Sequence, residues 1–465
     1  MRTLAALALF TVLASGADLY NERFRPQFHF SPERNWTNDP CGLIYANGEY
    51  HLFFQFNPFA DVWGHMSWGH AISRDLVHWK QLPVAIPEGN GVMIYTGSSV
   101  QDGNRITSVW TGDTPKKGDR PGRESQNLAF SDDGRTWTKF SGNPVLDINQ
   151  QDFRDPKVFR HAPTKRWIMV VMLPREYKAQ FYASEDLKHW THLSDFGPAG
   201  APREQWECPD FYELPVDGSA KNTRWVLKVG VNPGHVAGGS GEQYFIGRFD
   251  GTRFTNDNPP DQTLWVDYSR DCYCEFSFSN APETVAMGWM SDWLYADKTP
   301  TSPWRGQMTI PRKLSLETTR DGIRLVQTPA DALTSLRRQK LNALDATGDT
   351  FEFSATIAPG REFRMALAGA ELGYDPAKSE IYVDRTRGNV EFSTKFPTRT
   401  AAPVHLEGRP LRLHVFVDRS SIEVFADGGR ITLTNLVYPA ASRVPAVTAG
   451  ALESLETWKL ASIWE

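Results

Sequence analysis

The chain has 465 residues, 40% of them apolar and 23% charged, with a formal net charge of −5 and a pI near 6.2. That length exceeds one ordinary compact core and predicts two domains. The charge balance leaves no basic footprint for nucleic acid, and nothing after residue 17 approaches the roughly 18 apolar residues of a membrane span.

At the N-terminus, Arg2 precedes an apolar run from Leu4 to Leu13, followed by the small residues Ala14-Ser15-Gly16-Ala17. This reads as a secretory signal peptide over residues 1–17, cut near Gly16 or Ala17, which places the mature chain outside the cell or in the periplasm. From Tyr50 to Leu316 the pattern is one of short or alternating apolar runs such as Tyr50-His51-Leu52-Phe53-Phe54-Gln55-Phe56 and Trp167-Ile168-Met169-Val170-Val171-Met172. These are strand signals, and no long stretch keeps a helical period. Asp133-Gly134 and Asp250-Gly251 mark hairpin turns.

A motif recurs along this region. Ser73-Arg74-Asp75-Leu76-Val77-His78-Trp79, Ser131-Asp132-Asp133-Gly134-Arg135-Thr136-Trp137 and Ser184-Glu185-Asp186-Leu187-Lys188-His189-Trp190 set Trp79, Trp137 and Trp190 at intervals of 58 and 53 residues. Repeats of that length, made of strands and turns, predict propeller blades, with each motif the hairpin between a blade's outer strands and its Trp packed between blades. Inner strands counted at this interval fall near Asp39, Gly97-Ser98, Asp155, Glu207 and Cys274-Glu275-Phe276. The expected fold is therefore all-β, a five-bladed β-propeller over 18–325. A linker with a short helix follows over 326–345, where Ala330 to Leu344 has helix-forming composition. From Thr350 the strands Phe351-Glu352-Phe353, Leu411 to Val417, Ile422-Glu423-Val424-Phe425 and Ile431-Thr432-Leu433 predict a C-terminal β-sandwich over 346–465.

Three acids keep the same phase. Asp39 lies in Trp36-Thr37-Asn38-Asp39-Pro40-Cys41-Gly42, Asp155 in Arg154-Asp155-Pro156, and Glu207 in Trp206-Glu207-Cys208-Pro209-Asp210. Asp39 to Asp155 is 116 residues, twice 58, and Asp155 to Glu207 is 52. Alone, an Asn-Asp-Pro is usually a turn and an Arg-Asp a surface pair. Inner strands of a propeller meet at its axis, so residues in phase with the repeat converge on one pocket.

Glycoside hydrolysis needs one carboxyl that holds a proton for the leaving oxygen and one, ionised, facing the anomeric carbon. Like charges in one site push their pKa values apart, so one can keep a proton while another stays charged. Asp39, short and flanked by Asn38 and Pro40, suits a fixed nucleophile. Glu207 has the reach of a proton donor, with Trp206 expected to shield it from water. Arg154 is expected to keep Asp155 ionised. Sixteen Trp residues exceed ordinary structural need, and exposed rings suit sugar faces.

The remaining signals read as structural. Gly238-Gly239-Ser240-Gly241 lacks the Lys and helix of a phosphate loop and reads as a turn. His65, His70 and His78 lack metal-site spacing. Asn35-Trp36-Thr37 fits a glycosylation pattern but is expected to be buried. Four cysteines form no disulfide framework in a chain of this size. Cys41 and Cys208 sit beside candidate acids, and Cys272 and Cys274 are too close for an easy bridge, so all four are expected to be free thiols.

The acid motifs, together with Gln55-Phe56-Asn57-Pro58, Trp63-Gly64-His65-Met66-Ser67-Trp68-Gly69-His70, Tyr95-Thr96-Gly97-Ser98, Gly238-Gly239-Ser240-Gly241 and Pro303-Trp304-Arg305-Gly306, resemble glycoside hydrolase family 32, the invertases, inulinases and levanases. The resemblance spans nearly the whole mature chain. It implies a five-bladed propeller with a C-terminal sandwich, Asp39 as nucleophile, Glu207 as acid/base and Asp155 as the stabiliser that bonds fructose hydroxyls. It also implies that Asn38, Gln55, Trp63, Ser98, Arg154 and Trp304 surround a terminal fructose, without metal or organic cofactor. Thr37 and Cys41 depart from the family, which often has Met and Asn there, and Cys41 is expected to make the site thiol-sensitive. The implied activity is retaining release of terminal β-D-fructofuranosyl units from levan, inulin or sucrose, the carbohydrate being the only partner implied. Trp289-Met290-Ser291-Asp292-Trp293 looks more like fructan hydrolases than plant invertases. The rivals are a sucrose-specific invertase, a fructosyltransferase and a non-catalytic fructan-binding protein.

Expressed with its N-terminus intact in an exporting host, the protein is expected in the medium or periplasm, and N-terminal sequencing should read from Ala17 or Asp18.

Overall fold

Two strand-forming habits of this sequence, β-branched or aromatic residues in alternation and Asp or Gly at the turns, produce an almost entirely β molecule. The computed structural model describes residues 19–464 apart from 117, 119, 120, 202, 203, 342, 343, 345–347, 442, 443 and 451; the signal-peptide expectation lies outside them.

Antiparallel units follow one another through the first two thirds of the chain. The first runs Asn35–Ala46, Glu49–Asn57, Ser67–Ser73, Lys80–Ile86, with Trp304–Arg305 added in parallel to its first strand. The second has Met93–Asp102, Arg105–Thr114, Arg123–Ser131 and Thr138–Lys139, and the third Arg154–His161, Arg166–Leu173, Lys178–Ser184 and Thr191–Phe196. A nine-stranded sheet contains Trp206–Val216, Ser219–Val231, Gly241–Phe249 and Phe254–Asn256. A single parallel pair, Val216 with Leu316, joins these to a group built from Tyr273–Ser277, Val285–Trp289, Arg312–Thr319 and Gly322–Pro329.

The first strands of these units pack on one another in succession: Asn35–Ala46 on Met93–Asp102, then Arg154–His161, Trp206–Val216 and Tyr273–Ser277, which returns to Asn35–Ala46. Each of them breaks register near its cavity end. The breaks fall between Thr37 and Pro40, Ile94 and Gly97, Arg154 and Lys157, Glu207 and Asp210, and Tyr273 and Phe276. A bulge bends its strand and re-aims the side chains it carries. Here the bulged residues are Asn38-Asp39, Tyr95-Thr96, Asp155-Pro156, Cys208-Pro209 and Cys274-Glu275. At Gly97 the backbone of the neighbouring strand closes in so far that a Cβ would stand 2.0 Å from the Val109 carbonyl oxygen.

The Ser-x-Asp motifs are the outer hairpins. Asp75 Oδ1 accepts the Val77 and His78 amides at 3.0 and 2.9 Å, Asp133 those of Arg135 and Thr136 at 2.7 Å each, and Asp186 those of Lys188 and His189 at 2.9 Å each. A side-chain carboxylate thus closes each turn in place of a backbone carbonyl. Trp79 is buried, and Trp137 and Trp190 pack against clusters between adjacent sheets.

Beyond Gly348 two sheets face each other over a single apolar core that includes Phe353, Leu372, Val383, Val415 and Val424, the expected sandwich. The linker differs from expectation. Its start, Val326–Pro329, completes a strand paired with Arg312–Thr319. The helix is a short 3-10 helix, Asp331–Leu336, after which Arg337–Leu341 joins the sandwich by pairing with Leu452–Leu460. Helical propensity over this stretch is worth a few tenths of a kcal/mol per residue, less than an open sheet edge offers in hydrogen bonds.

A buried ionic cluster joins the two domains. His29 is fully buried, with Nδ1 2.8 Å from Asp418 Oδ2 and Nε2 2.8 Å from Glu423 Oε1. Glu423 also binds Arg312, and Asp418 accepts the Gln27 and Phe28 amides. Burial alone would lower the pKa of His29, but the two carboxylates outweigh it and raise it to about 9. Because that value exceeds the unfolded one, the stabilisation is complete below about pH 6.5 and is lost as pH rises through about 9. His29→Gln leaves two buried carboxylates short of a cation and should cost about 3–5 kcal/mol, read as a lower denaturant midpoint at pH 6. The loss should shrink above pH 9.

Candidate active site

The bulged residues meet across the axis. Thr96 Oγ1 donates to Asp39 Oδ2 at 2.8 Å, and the Cys208 amide donates to Asp155 Oδ2 at 2.9 Å. Cys208 and Cys274 form a disulfide whose Cys208 sulfur lies 3.7 Å from Asp39 Oδ2. Asp155, Cys208 and Cys274 reach these positions with φ of 66°, 50° and 48°, left-handed values that cost a residue with a side chain about 1–3 kcal/mol each. Packing of the five strands holds them there.

Above these contacts opens a cavity of about 270 Å³. Asp39, Asp155 and Glu207 all line it, with Asn38, Gln55, Trp63 and Arg154 of the expected sugar contacts. Asn38 is fixed by the Trp36 indole, which donates to its Oδ1 at 2.8 Å. Trp63 is 45% exposed and stands at the rim with its ring edge toward Tyr95. Two expected residues do not line the cavity. Ser98 is buried between strands, where its hydroxyl donates to the Pro156 carbonyl and accepts the Val158 amide, both at 2.8 Å. Trp304 is buried with the Arg25 guanidinium 3.6 Å over its ring.

Arg154 does not bond Asp155. Its Nη2 and Nε donate to Glu207 Oε1 at 3.0 and 3.1 Å, and its Nη1 to Glu124 and Asp152. Burial therefore prevails at Asp155 and raises its carboxyl well above the usual range, the Arg154 charge opposing without reversing it. Burial likewise brings Asp39 up to about 6 against the pull of Asn38 and Thr96, with the Glu207 charge adding to the rise. Trp206 points away into the apolar core, its indole donating to the Ala201 carbonyl, so it is not the shield of Glu207.

Several contributors escaped the sequence reading. The Tyr273 hydroxyl donates to Glu207 Oε2 at 2.6 Å. Glu124, raised to about 7 chiefly by burial, braces Arg154. Trp293 lines the wall and stacks on Trp36. Thr96 and Tyr273 fall in phase with the repeat beside the bulges, so the interval that found the acids could have found them. Glu124 is on a third strand and carries no such signal.

The cysteine expectation is corrected in part. Cys41 and Cys272 are free, but Cys208 and Cys274 are bonded. The partner of Cys274 comes from the adjacent first strand, 66 residues away, at a neighbouring bulge. Asp39, Cys208 and Cys274 cluster closely enough to resemble a metal site, but sulfurs bonded to each other offer no thiolate. Cys41 is fully buried and burial raises its thiol well above the usual range, against the expected thiol sensitivity. His65, His70 and His78 bond Glu88, His51 and Asp75.

Four carboxyls, an arginine and two tryptophans converging on a ring-sized polar cavity in an all-β scaffold define the class: a glycoside hydrolase. The chain belongs to glycosyl hydrolases family 32, whose N-terminal domain model matches residues 29–329 and whose C-terminal model matches residues 322–463. It is 42% identical to the levanase of Bacillus subtilis, over all of this chain and 74% of that protein. It is 38% identical to the extracellular exo-inulinase of Aspergillus ficuum, over 96% of each. The crystal structure of exo-inulinase from Aspergillus awamori superposes with a TM-score of 0.88 at 36% identity, covering 96% of this chain and all of that one.

Denatured without reductant, the protein should show two titratable thiols, and four after reduction; four before reduction would exclude the bond between Cys208 and Cys274.

Proposed function

We propose that this enzyme is a retaining β-fructofuranosidase that removes terminal β-D-fructofuranosyl units from levan, inulin and sucrose. One observation carries the reading: three acids from three bulged first strands line a single cavity with room for one furanose ring. In this reading the successive first strands are the inner strands of a five-bladed propeller covered at one side by the sandwich, and the chain is exported to act on polymer outside the cell. The likeness to a levanase and an exo-inulinase supports fructan ahead of sucrose.

Asp39 attacks C2 of the fructosyl ring as Glu207 gives its proton to the leaving oxygen. The bond from C2 to that oxygen breaks, and an ester to Asp39 forms. Glu207, now ionised, takes a proton from water, whose oxygen attacks C2 and releases Asp39. Arg154 and Tyr273 hold the two oxygens of Glu207 through both steps. Asp155, its proton favoured by burial, can both donate to and accept from ring hydroxyls, while Asn38, Gln55 and Trp63 complete the wall around the ring.

Asp39→Asn should abolish turnover of sucrose, inulin and levan while sugar still binds by calorimetry; retained turnover would refute its role as nucleophile. NMR of the first product should show β-fructofuranose, and a crystal structure should set the Asp39 and Glu207 carboxyls about 5–5.5 Å apart, since a wider gap implies inversion.

The attacking carboxyl must be ionised, so the acid limb of kcat/KM should fall as pH drops through about 6. Thr96→Val removes a donor to that carboxylate and should move the acid limb upward by about one unit. An unmoved limb would assign it to another group.

A further inference from the structure

The Cys208–Cys274 disulfide spans two first strands that share no backbone ladder among the described residues. Trp206–Val216 pairs with Ser219–Val231 and touches Leu316, whereas Tyr273–Ser277 pairs with Val285–Trp289. Lower down, the two strands are tied by Asp210, which accepts the amide and hydroxyl of Ser277 at 2.8 and 3.1 Å. At the cavity end the disulfide is the covalent tie, and it joins the residue after Glu207 to the residue after Tyr273. The hydrogen bond from Tyr273 to Glu207 thus stands directly beside the bridge, on the same two bulges. Both bridged residues have left-handed backbones, which nothing in their side chains favours.

We propose that this disulfide is a positioning device for the proton donor: it fixes the separation of the two bulges, so that Tyr273 holds Glu207 against the leaving oxygen. The Cys208 amide also donates to Asp155, and the Cys208 sulfur lies 3.7 Å from Asp39 Oδ2; both contacts are made by Cys208 itself, which a substitution of Cys274 leaves in place. The proposal rests on Glu207 being the acid, and the test separates the two claims. A bond whose only task was to stabilise the fold would leave proton donation untouched once the protein had folded.

The discriminating probe is a pair of substrates. Sucrose needs a proton on its leaving oxygen, whereas β-D-fructofuranosyl fluoride loses fluoride without one. In Cys274→Ala and Cys274→Ser, kcat/KM for sucrose should fall about tenfold or more, in line with the cost of misplacing a reacting group by about 1 Å. The fluoride should react at close to the wild-type kcat/KM. Equal losses on both substrates, or none on either, would overturn the proposal. Glu207→Ala is run beside them. If it too loses sucrose and keeps the fluoride, the acid assignment stands whatever Cys274 does; if it does not, that assignment fails first. Should both cysteine variants fail to fold, folded wild type assayed in dithiothreitol, with its reduction counted by mass, should show the same sucrose-specific loss, and an unchanged ratio would refute the positioning role.

Discussion

A break of register repeated near the cavity end of five neighbouring strands is the constraint on which the rest of this molecule depends. A regular strand turns alternate side chains to its two faces, and five regular strands side by side would bury those faces in the adjoining sheets. The bulge frees a pair of residues from the ladder and points them along the common axis. Every close contact at the cavity floor joins residues of this kind: Asp39 with Thr96, Asp155 with the Cys208 amide, Cys208 with Cys274. Asp39 and Asp155 sit in these bulges and Glu207 immediately before one, so the three acids converge where the backbone bends.

Such a floor is electrostatically expensive, and the charges around it show how it is held. Among the described residues Arg154 supplies the guanidinium in contact with Glu207 and is itself braced by Glu124 and Asp152. Deeper on the axis, Asp210 receives Lys157 at 2.7 Å, and Lys228 binds Glu275 at 2.8 Å, all fully or almost fully buried. Buried pairs of this sort add little net stability but make a wrong arrangement costly. They fix the strands that line the cavity relative to one another, and the His29 cluster does the same between the two domains. The sandwich thereby sets the seat of the N-terminal segment that packs beneath the first sheet.

Burial raises both Asp39 and Asp155, but against different neighbours. Among the described residues no cationic side chain bonds Asp155, whose carboxyl is raised by burial; Asp39 is eased back toward ionisation by Asn38 and Thr96; Glu207 is gripped at both oxygens, by Arg154 on one side and Tyr273 on the other. Three carboxyls can share a small space because their partners differ.

The sequence alone determined the elements and the phase: strand and turn residues, the Asp-closed hairpins, the sandwich, and the three acids with four of their neighbours around one cavity. These are properties of local pattern and of a repeat interval, and both are written along the chain. Tertiary structure decided what the interval could not carry. It turned Ser98 and Trp304 into packing residues, gave Arg154 to Glu207 in place of Asp155, bonded Cys208 to a cysteine on the next first strand, and drew Ala330 to Leu341 partly into sheets. Each of these outcomes depends on which side chain a bulge or a sheet edge brings within about 3 Å of another, a distance across the fold that spacing along the sequence does not encode.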